Sequence, residues 1–242
     1  AFWVLLTAFV CYRIARRLYS DRAGYLAALF YVVFTTTYIP KFIATSMILI
    51  MMLPITASAD MFLRSEDTGK KRFMFLSGLL WGIGCLFKYQ AGINLLAVGF
   101  YLLIFKRLYF RDSSFAQNAK RLLAYIAGGS AVGAAFLYYI YSVGAWDAFM
   151  FWSLSGSLAY IEAGSRLTRF WSSLIVRGGS MVGSSLLLFV LASSKASDIL
   201  HNLFRSSRHK LIRSKETFIL IWLAFSVIPV CTGGKFYGHY FL

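Results

Sequence analysis

Long apolar segments alternate with short polar ones along the chain. A helix that crosses a lipid bilayer needs about 20 mostly apolar residues, with a range of about 17 to 25. Apolar segments, some of them short, lie at residues 1–12, 23–39, 42–63, 73–87, 91–105, 122–143, 171–192 and 217–232, and another begins at 236. Lipid admits only helices or closed barrels, and no barrel-type alternation is visible. The pattern therefore predicts an all-α, polytopic transmembrane helical bundle with about eight spans.

Composition excludes the other broad classes of protein. Hydrophobic types make up 59% of the 242 residues, charged types make up 14%, and the mean hydropathy is +0.67. A soluble domain carries about 25% charged residues, and a disordered chain needs low hydrophobicity. We therefore expect one integral-membrane domain over residues 1–242.

The distribution of positive charge predicts the orientation. The chain has 25 Lys and Arg against 9 Asp and Glu, a net charge of +16. The segments 13–22, 63–72, 106–121 and 193–216 hold 4, 4, 5 and 6 Lys and Arg. Every second loop is thus basic, which places these loops in the cytoplasm. Charge spread over juxtamembrane loops favours contact with anionic membrane lipids and argues against a nucleic-acid partner.

The segment 144–170 is then expected on the outer side. It contains an apolar run at 148–161 that resembles a further span. A span there would move the basic segment 193–216 to the outside, against the charge rule. We therefore predict an interfacial loop and helix on the outer surface.

Few polar groups are predicted on the outer side, and three places carry candidate chemistry. Lys88 lies in the short connection 87–90, where it either extends to lipid headgroups or binds a phosphate. The segment 233–240 contains Lys235, Tyr237 and His239. It either forms part of the aromatic belt at the membrane surface or lines the opening of a ligand-binding cavity. Arg177 lies six residues inside a predicted span and either snorkels or faces a cavity.

No metal site is apparent in the sequence. Cys11, Cys85 and Cys231 form no metal-ligand spacing, and the outer acids Asp147 and Glu162 lie far apart. No cofactor is expected, a need for a divalent metal stays open, and no convincing general base is present.

Two features suggest structural roles inside the bundle. Asp60 has Arg64 four residues on, which is typical of an ion pair along one helix. The pairs Gly78/Gly82 and Gly129/Gly133 have the spacing of closely packed helices.

Four stretches, taken in order, carry a family resemblance. They are RIARRLY at 13–19 followed by AGYLAA at 23–28, LSGLLWGIGCLFKYQ at 76–90, GAWDAF at 144–149 and KFYGHYFL at 235–242. Together they resemble the C-type integral-membrane glycosyltransferases, in the branch similar to protein mannosyltransferases and lipid A aminoarabinose transferases. The resemblance implies transfer of a sugar from a polyprenyl-phosphate donor to a lipid, glycan or protein acceptor on the outer face of the membrane.

The resemblance also implies roles for individual residues. Lys88 would contact the donor phosphate, and Tyr89 and Gln90 would shape the pocket. Lys235, which replaces the usual Arg of the family, would line the same cavity with His239. Arg177 and Tyr237 complete the predicted substrate-binding set.

The expected catalytic residues are not in the sequence. The family's acidic catalytic residues lie in a first outer loop, upstream of Ala1. Because the chain begins and ends within apolar runs, we expect a fragment that is inactive by itself.

Two other functions stay open. One is a transporter or flippase of a lipid-linked saccharide, for which Pro54 offers a possible kink. The other is a non-catalytic membrane assembly subunit. For each of these functions, the predicted location is the bacterial inner (plasma) membrane.

Overall fold

The computed structural model describes residues 2–37, 47–109, 114–155, 175, 186–205 and 210–231. Nearly all of these residues are helical, and no strand occurs among them. The helices are α1 (Phe2–Leu18), α2 (Asp21–Thr37), α3 (Met47–Thr68), α4 (Lys71–Phe87), α5 (Tyr89–Tyr109), α6 (Phe115–Ser142), α7 (Trp146–Met150), α8 (Leu186–Arg205) and α9 (Lys210–Cys231). The all-α prediction is confirmed for this part of the chain.

Three helices in the described part are long and apolar enough to cross a membrane. They are α3, α5 and α6, with 22, 21 and 28 residues. This supports an integral membrane protein, while the total of about eight spans stays a prediction. The short predicted span 91–105 is lengthened by its flanks to the whole of α5.

The helix α5 is irregular along its length. It begins with a 3₁₀ turn at Tyr89–Gly92, continues as α-helix over Ile93–Gly99, and has a π-helical segment at Phe100–Phe105. Insertions of π-helix shift the face that the following residues present.

Several helices continue into the basic segments that were predicted as loops. The helix α1 reaches Leu18, and α3 continues beyond the apolar residues to Thr68. Arg and Lys are good helix formers, so a hydropathy boundary need not end a helix. The end of α3 is set instead by Gly69, whose φ of +66° is the left-handed conformation of a helix C-cap. Its N–H donates to the carbonyl oxygen of Ser65 at 2.9 Å.

The chain divides into two compact units, and the first contains most of the described residues. It comprises Ala1–Gly133 and Ser207–Phe225. Its centre is an aromatic cluster in which the Phe62 ring stacks on Phe218 at 3.9 Å between centroids and meets the edge of Tyr101 at 5.5 Å. These side chains and Leu63 are at most 1% exposed. The cluster joins α3, α5 and α9.

Glycines allow α4 and α6 to cross with their backbones in contact. A Cβ added at Gly78 would overlap the carbonyl oxygen of Tyr125, and one at Gly128 would overlap that of Phe75. The predicted role of Gly78 and Gly82 is therefore confirmed. Gly133 makes no such contact with the described residues, because a Cβ there would meet none of their atoms within 4 Å.

On the α6 side, the close contact is made by adjacent glycines rather than by a spaced pair. Gly128 and Gly129 both meet α4. Two adjacent glycines offer a wider flat surface than one glycine of a pair spaced four residues apart. The sequence pattern alone did not show which of the two arrangements makes the contact.

The second unit comprises Ala134–Ser206 and Ser226–Phe241. Within it, Gly144 has a φ of +69°, and α7 and a π-helical turn at Phe151–Ser155 follow. The Phe149 ring contacts Phe136 with centroids 5.7 Å apart. The start of the predicted segment 144–170 is thus helical, and the rest lies outside the described residues.

Candidate functional site

Lys88 lies where the chain passes from α4 to α5. Its backbone is extended, with φ −157° and ψ 116°, so it leaves the helical path. Its N–H donates to the carbonyl oxygen of Gly84 at 3.3 Å, and its own carbonyl accepts from the N–H of Ala91 at 2.9 Å. These two bonds hold Lys88, Tyr89 and Gln90 in one tight connection between the helices.

Side chains from three helices fix this connection. The carbonyl oxygen of Ala91 accepts hydrogen bonds from Trp81 Nε1 at 2.9 Å and from Asn94 Nδ2 at 3.0 Å. Trp222 Nε1 donates in turn to Asn94 Oδ1. The connection is therefore tied to α4, α5 and α9, and the backbone that carries Lys88 is preorganised.

The environment of Lys88 suits the binding of an anion. Its side chain is half-buried, and this burial lowers the pKa of the Lys88 ammonium. A negative group placed beside it would favour the charged form, and the attraction is stronger where water is partly excluded. Tyr89 is exposed, and Gln90 is half-buried.

The structure brings together only the first three predicted site residues. Lys88, Tyr89 and Gln90 are consecutive in one connection. The other four lie outside the described residues, namely Arg177, Lys235, Tyr237 and His239. The composition of the full predicted site stays a prediction.

A dense network of charged residues lies at the other end of α4, and we call it the basic-end cluster. Its acids are on α3, and its cations come from α1, α5, α6 and α9. The members are Asp60, Glu66 and Asp67 with Arg13, Arg17, Lys106, Arg121 and Lys215.

Asp60 is the most enclosed member near α1. Its carboxylate lies 2.7 Å from Arg13 Nη2 and 3.3 Å from Arg17 Nη2, and its side chain is 1% exposed. The predicted pair with Arg64 is wrong, because the Arg64 guanidinium lies 4.5 Å from the centroid of the Phe73 ring. The attraction between the Asp60 carboxylate and two guanidiniums of another helix, in a site with little water, is stronger than that of one exposed ion pair along the same helix.

Glu66 joins α3 to α5 and α6. Its carboxylate lies 2.5 Å from Lys106 Nζ and 2.5 Å from Arg121 Nη2, and it accepts a hydrogen bond from the Tyr101 hydroxyl at 3.3 Å. Asp67 is held by Arg17 and Lys215. Sequence reasoning missed this network, although three of the nine acids of the chain fall within residues 60–67.

The ion pairs of the basic-end cluster bring residues from all four basic segments to one end of the first unit. The helices α1, α3 and α5 end there, and α6 and α9 begin there. The 17-residue helix α4 starts near this end at Lys71. At 1.5 Å per residue it carries Lys88 about 25 Å away, to the opposite end.

Metal binding finds no support in the described part of the chain. No group there brings together three His, Cys, Asp or Glu side chains that could hold an ion. The acids of the basic-end cluster are matched with Lys and Arg instead. Cys11 and Cys85 are free thiols.

The helical architecture and the apolar helices define an integral membrane protein. A sequence model of the family described as dolichyl-phosphate-mannose-protein mannosyltransferase matches residues 1–127, which is more than half of the chain. The chain belongs to this family. No curated protein and no solved structure matches it significantly.

The matched region runs from α1 into α6 and includes Lys88 and most of the basic-end cluster. Dolichyl phosphate is a polyprenyl phosphate. The family therefore points to a mannosyltransferase-type glycosyltransferase with a polyprenyl-phosphate sugar donor.

Proposed function

We propose that the complete protein transfers a sugar from a polyprenyl-phosphate carrier to a lipid, glycan or protein acceptor on the extracytoplasmic face of the membrane. The observation that carries the proposal is the family match over residues 1–127, which includes the half-buried Lys88 in its braced connection.

The reaction is a displacement at the anomeric carbon of the sugar. A hydroxyl or other nucleophile of the acceptor forms the new bond, and the bond from the anomeric carbon to the phosphate oxygen breaks. The electron pair leaves with the polyprenyl phosphate, and the acceptor proton passes to a general base. We expect this base to be an acidic residue, and the anomeric configuration to invert.

Lys88 acts on the leaving group in this scheme. Negative charge builds up on the phosphate as the bond to the sugar breaks, and a nearby ammonium stabilises that charge. The hydrogen bonds around Ala91 hold the Lys88 backbone in place before the substrate binds. This preorganisation lowers the cost of placing the cation. Tyr89 and Gln90 contact the carrier head or the sugar.

The extracytoplasmic side follows from charge. The positive-inside rule places the basic-end cluster in the cytoplasm, so Lys88, at the other end of α4, faces outside. Arg177, Lys235, Tyr237 and His239 complete the pocket in this proposal. The membrane is the inner, or plasma, membrane.

The decisive experiment uses the full-length protein and a radiolabelled sugar on a defined polyprenyl phosphate. Lys88→Ala is expected to lower kcat/KM for the donor about 10- to 100-fold, as for loss of a hydrogen bond to a charged group. Lys88→Arg should retain more activity. Lys71→Ala, which removes an exposed lysine from the other end of α4, serves as the matched control.

Equal donor kinetics for Lys88→Ala and the control would remove Lys88 from the site. Movement of the intact lipid-linked sugar across vesicles, with no transfer to any acceptor, would favour a flippase. The structure offers no broken helix at Pro54, because α3 continues through it from Met47 to Thr68.

A further inference from the structure

An apolar groove runs between α1 and α2 on the exposed surface of the first unit. Its volume is about 530 Å³, which is within the range of small-molecule sites. Leu5, Phe9 and Tyr12 line it from α1, and Tyr25, Leu29 and Val32 line it from α2. On each helix these positions are three, four or seven residues apart, so each helix contributes one continuous stripe.

Small residues shape the groove. At its basic end, Gly24 lets α2 approach α1 closely, since a Cβ there would lie 2.7 Å from the Tyr12 ring and 2.9 Å from its carbonyl oxygen. Further along, Ala8 and Ala28 form part of the lining, and their short side chains leave the space open. The shape of the groove among the described residues thus follows from small residues in both helices.

The walls of the groove are suited to a lipid chain. Leu5, Phe9 and Leu29 are 60%, 56% and 57% exposed. The predicted spans 1–12 and 23–39 would place these side chains against hydrocarbon rather than water. A groove about 10 Å long, measured from Leu5 to Tyr12 along α1, accommodates part of one acyl chain.

Polar groups close the groove at its basic end. The Arg16 guanidinium lies 5.9 Å from the centroid of the Tyr12 ring, and Arg16 Nε contacts Asp21 Oδ1 at 2.7 Å. The Tyr12 hydroxyl donates to the same oxygen at 3.2 Å. A guanidinium has five N–H donors, and the Arg16 side chain is 59% exposed, so it can bind a second anion.

Charge at this end selects among lipid headgroups. The segment 13–22 carries four Arg and one Asp. Asp21 engages Arg16, and Arg13 and Arg17 are engaged by Asp60 of α3. The exposed Arg22 adds a further charge next to Asp21. The excess is positive, which favours an anionic headgroup over a zwitterionic one.

We propose that this groove binds one acyl chain of an anionic glycerophospholipid, with the lipid phosphate on Arg16 beside Tyr12. The site is distinct from the proposed donor site, because Lys88 lies at the opposite end of the bundle. The bound lipid belongs to the leaflet that faces the basic segments. It fills the space between α1 and α2.

The test is native mass spectrometry of the detergent-solubilised full-length protein, incubated with equal amounts of phosphatidylglycerol and phosphatidylcholine. The wild type should retain phosphatidylglycerol preferentially. The double variant Arg16→Gln/Arg22→Gln should lower the ratio of the two bound lipids about 10- to 30-fold, from about 1 kcal/mol for each basic residue. The control Lys70→Gln/Lys71→Gln removes equal charge from another exposed basic turn and should leave the ratio unchanged.

A second variant tests the groove itself. Ala28→Leu narrows the lined space and should reduce retention of both lipids at an unchanged elution volume and melting temperature. The proposal is overturned if phosphatidylcholine is retained equally by the wild type, or if the lysine control lowers the ratio as much as the arginine pair. Displacement of phosphatidylglycerol by a polyprenyl phosphate at equal concentration would also overturn it, and would assign the groove to the carrier instead.

Discussion

The two ends of the first unit are held together by different kinds of interaction. At the basic end, three acids of α3 meet five cations from four other helices. At the Lys88 end, neutral hydrogen bonds from Trp81, Asn94 and Trp222 converge around the carbonyl of Ala91. Ion pairs between helices hold one end together, and neutral hydrogen bonds fix the backbone of the Lys88 connection at the other.

The difference between the two ends suggests that one stabilises the fold and the other binds a ligand. Buried acids and cations that form ion pairs with one another fix which helix ends meet. A half-buried ammonium on a fixed backbone gains more from an incoming phosphate, because its charge is disfavoured before the phosphate arrives. We therefore propose that the basic-end cluster serves assembly of the bundle and that the Lys88 connection serves substrate binding.

The largest expected effect comes from removing a buried acid of the basic-end cluster. Glu66→Ala leaves Lys106 and Arg121 close together without their shared carboxylate, at 13% and 9% side-chain exposure. Removal of one partner of a buried ion pair lowers the free energy of unfolding by about 3–5 kcal/mol. The melting temperature of the purified protein in detergent should fall accordingly.

Asp21→Asn provides the matched control for that variant. It also removes one acid from an ion pair, with Arg16, but both side chains are more than half exposed. An exposed pair contributes at most about 1 kcal/mol. Equal losses of thermal stability in the two variants would contradict the structural role of the basic-end cluster.

A smaller effect is expected between the two ends, where α4 crosses α6. Gly78→Ala should destabilise the protein by about 1–3 kcal/mol through overpacking against the Tyr125 carbonyl. Gly133→Ala on α6 meets no atom of the described residues within 4 Å and should be neutral or slightly stabilising, because alanine favours a helix. Thermal unfolding of both variants measures the difference, and a destabilised Gly133→Ala would show that the crossing extends further than described.

The finest test concerns the charge of Lys88. Burial lowers its pKa, and in the proposed mechanism the donor phosphate binds the charged form. As the pH rises through this lowered pKa, the charge is lost, so donor KM should rise before the ordinary lysine pKa of about 10.4 is reached. Below that range the lysine is charged, and KM should be flat.

Lys88→Arg removes this titration, because a guanidinium stays charged above pH 12. The donor KM of the variant should be independent of pH over the range in which that of the wild type rises. Parallel pH profiles for the two proteins would show that another group titrates and would weaken the assignment of Lys88.

Hydropathy and charge predicted much of this architecture. The apolar segments predicted the helices, and alternation of basic segments predicted that residues 13–22, 63–72, 106–121 and 193–216 share one side. Ion pairs of the basic-end cluster join residues from all four segments. Lys88 was identified from its isolation in a short connection, and the structure places it in a distinct, braced turn.

Other features could not be predicted because they depend on contacts between distant residues. The ion pair along α3 predicted for Asp60 was wrong, since Arg13 and Arg17 lie 47 and 43 positions away in sequence. The partner of Gly78 is Gly128 and its neighbours, and no spacing rule on either helix alone identifies which glycines meet. The role of Trp222 at the Lys88 connection depends on where α9 packs.

The sequence by itself determined the membrane class and the all-α architecture, because solvation by lipid acts on each apolar segment separately. Only the tertiary structure decided which acid pairs with which cation, where two backbones touch and how the Lys88 turn is held. Those contacts depend on how the helices pack. Each helix can satisfy its own backbone hydrogen bonds without determining which other helix it packs against.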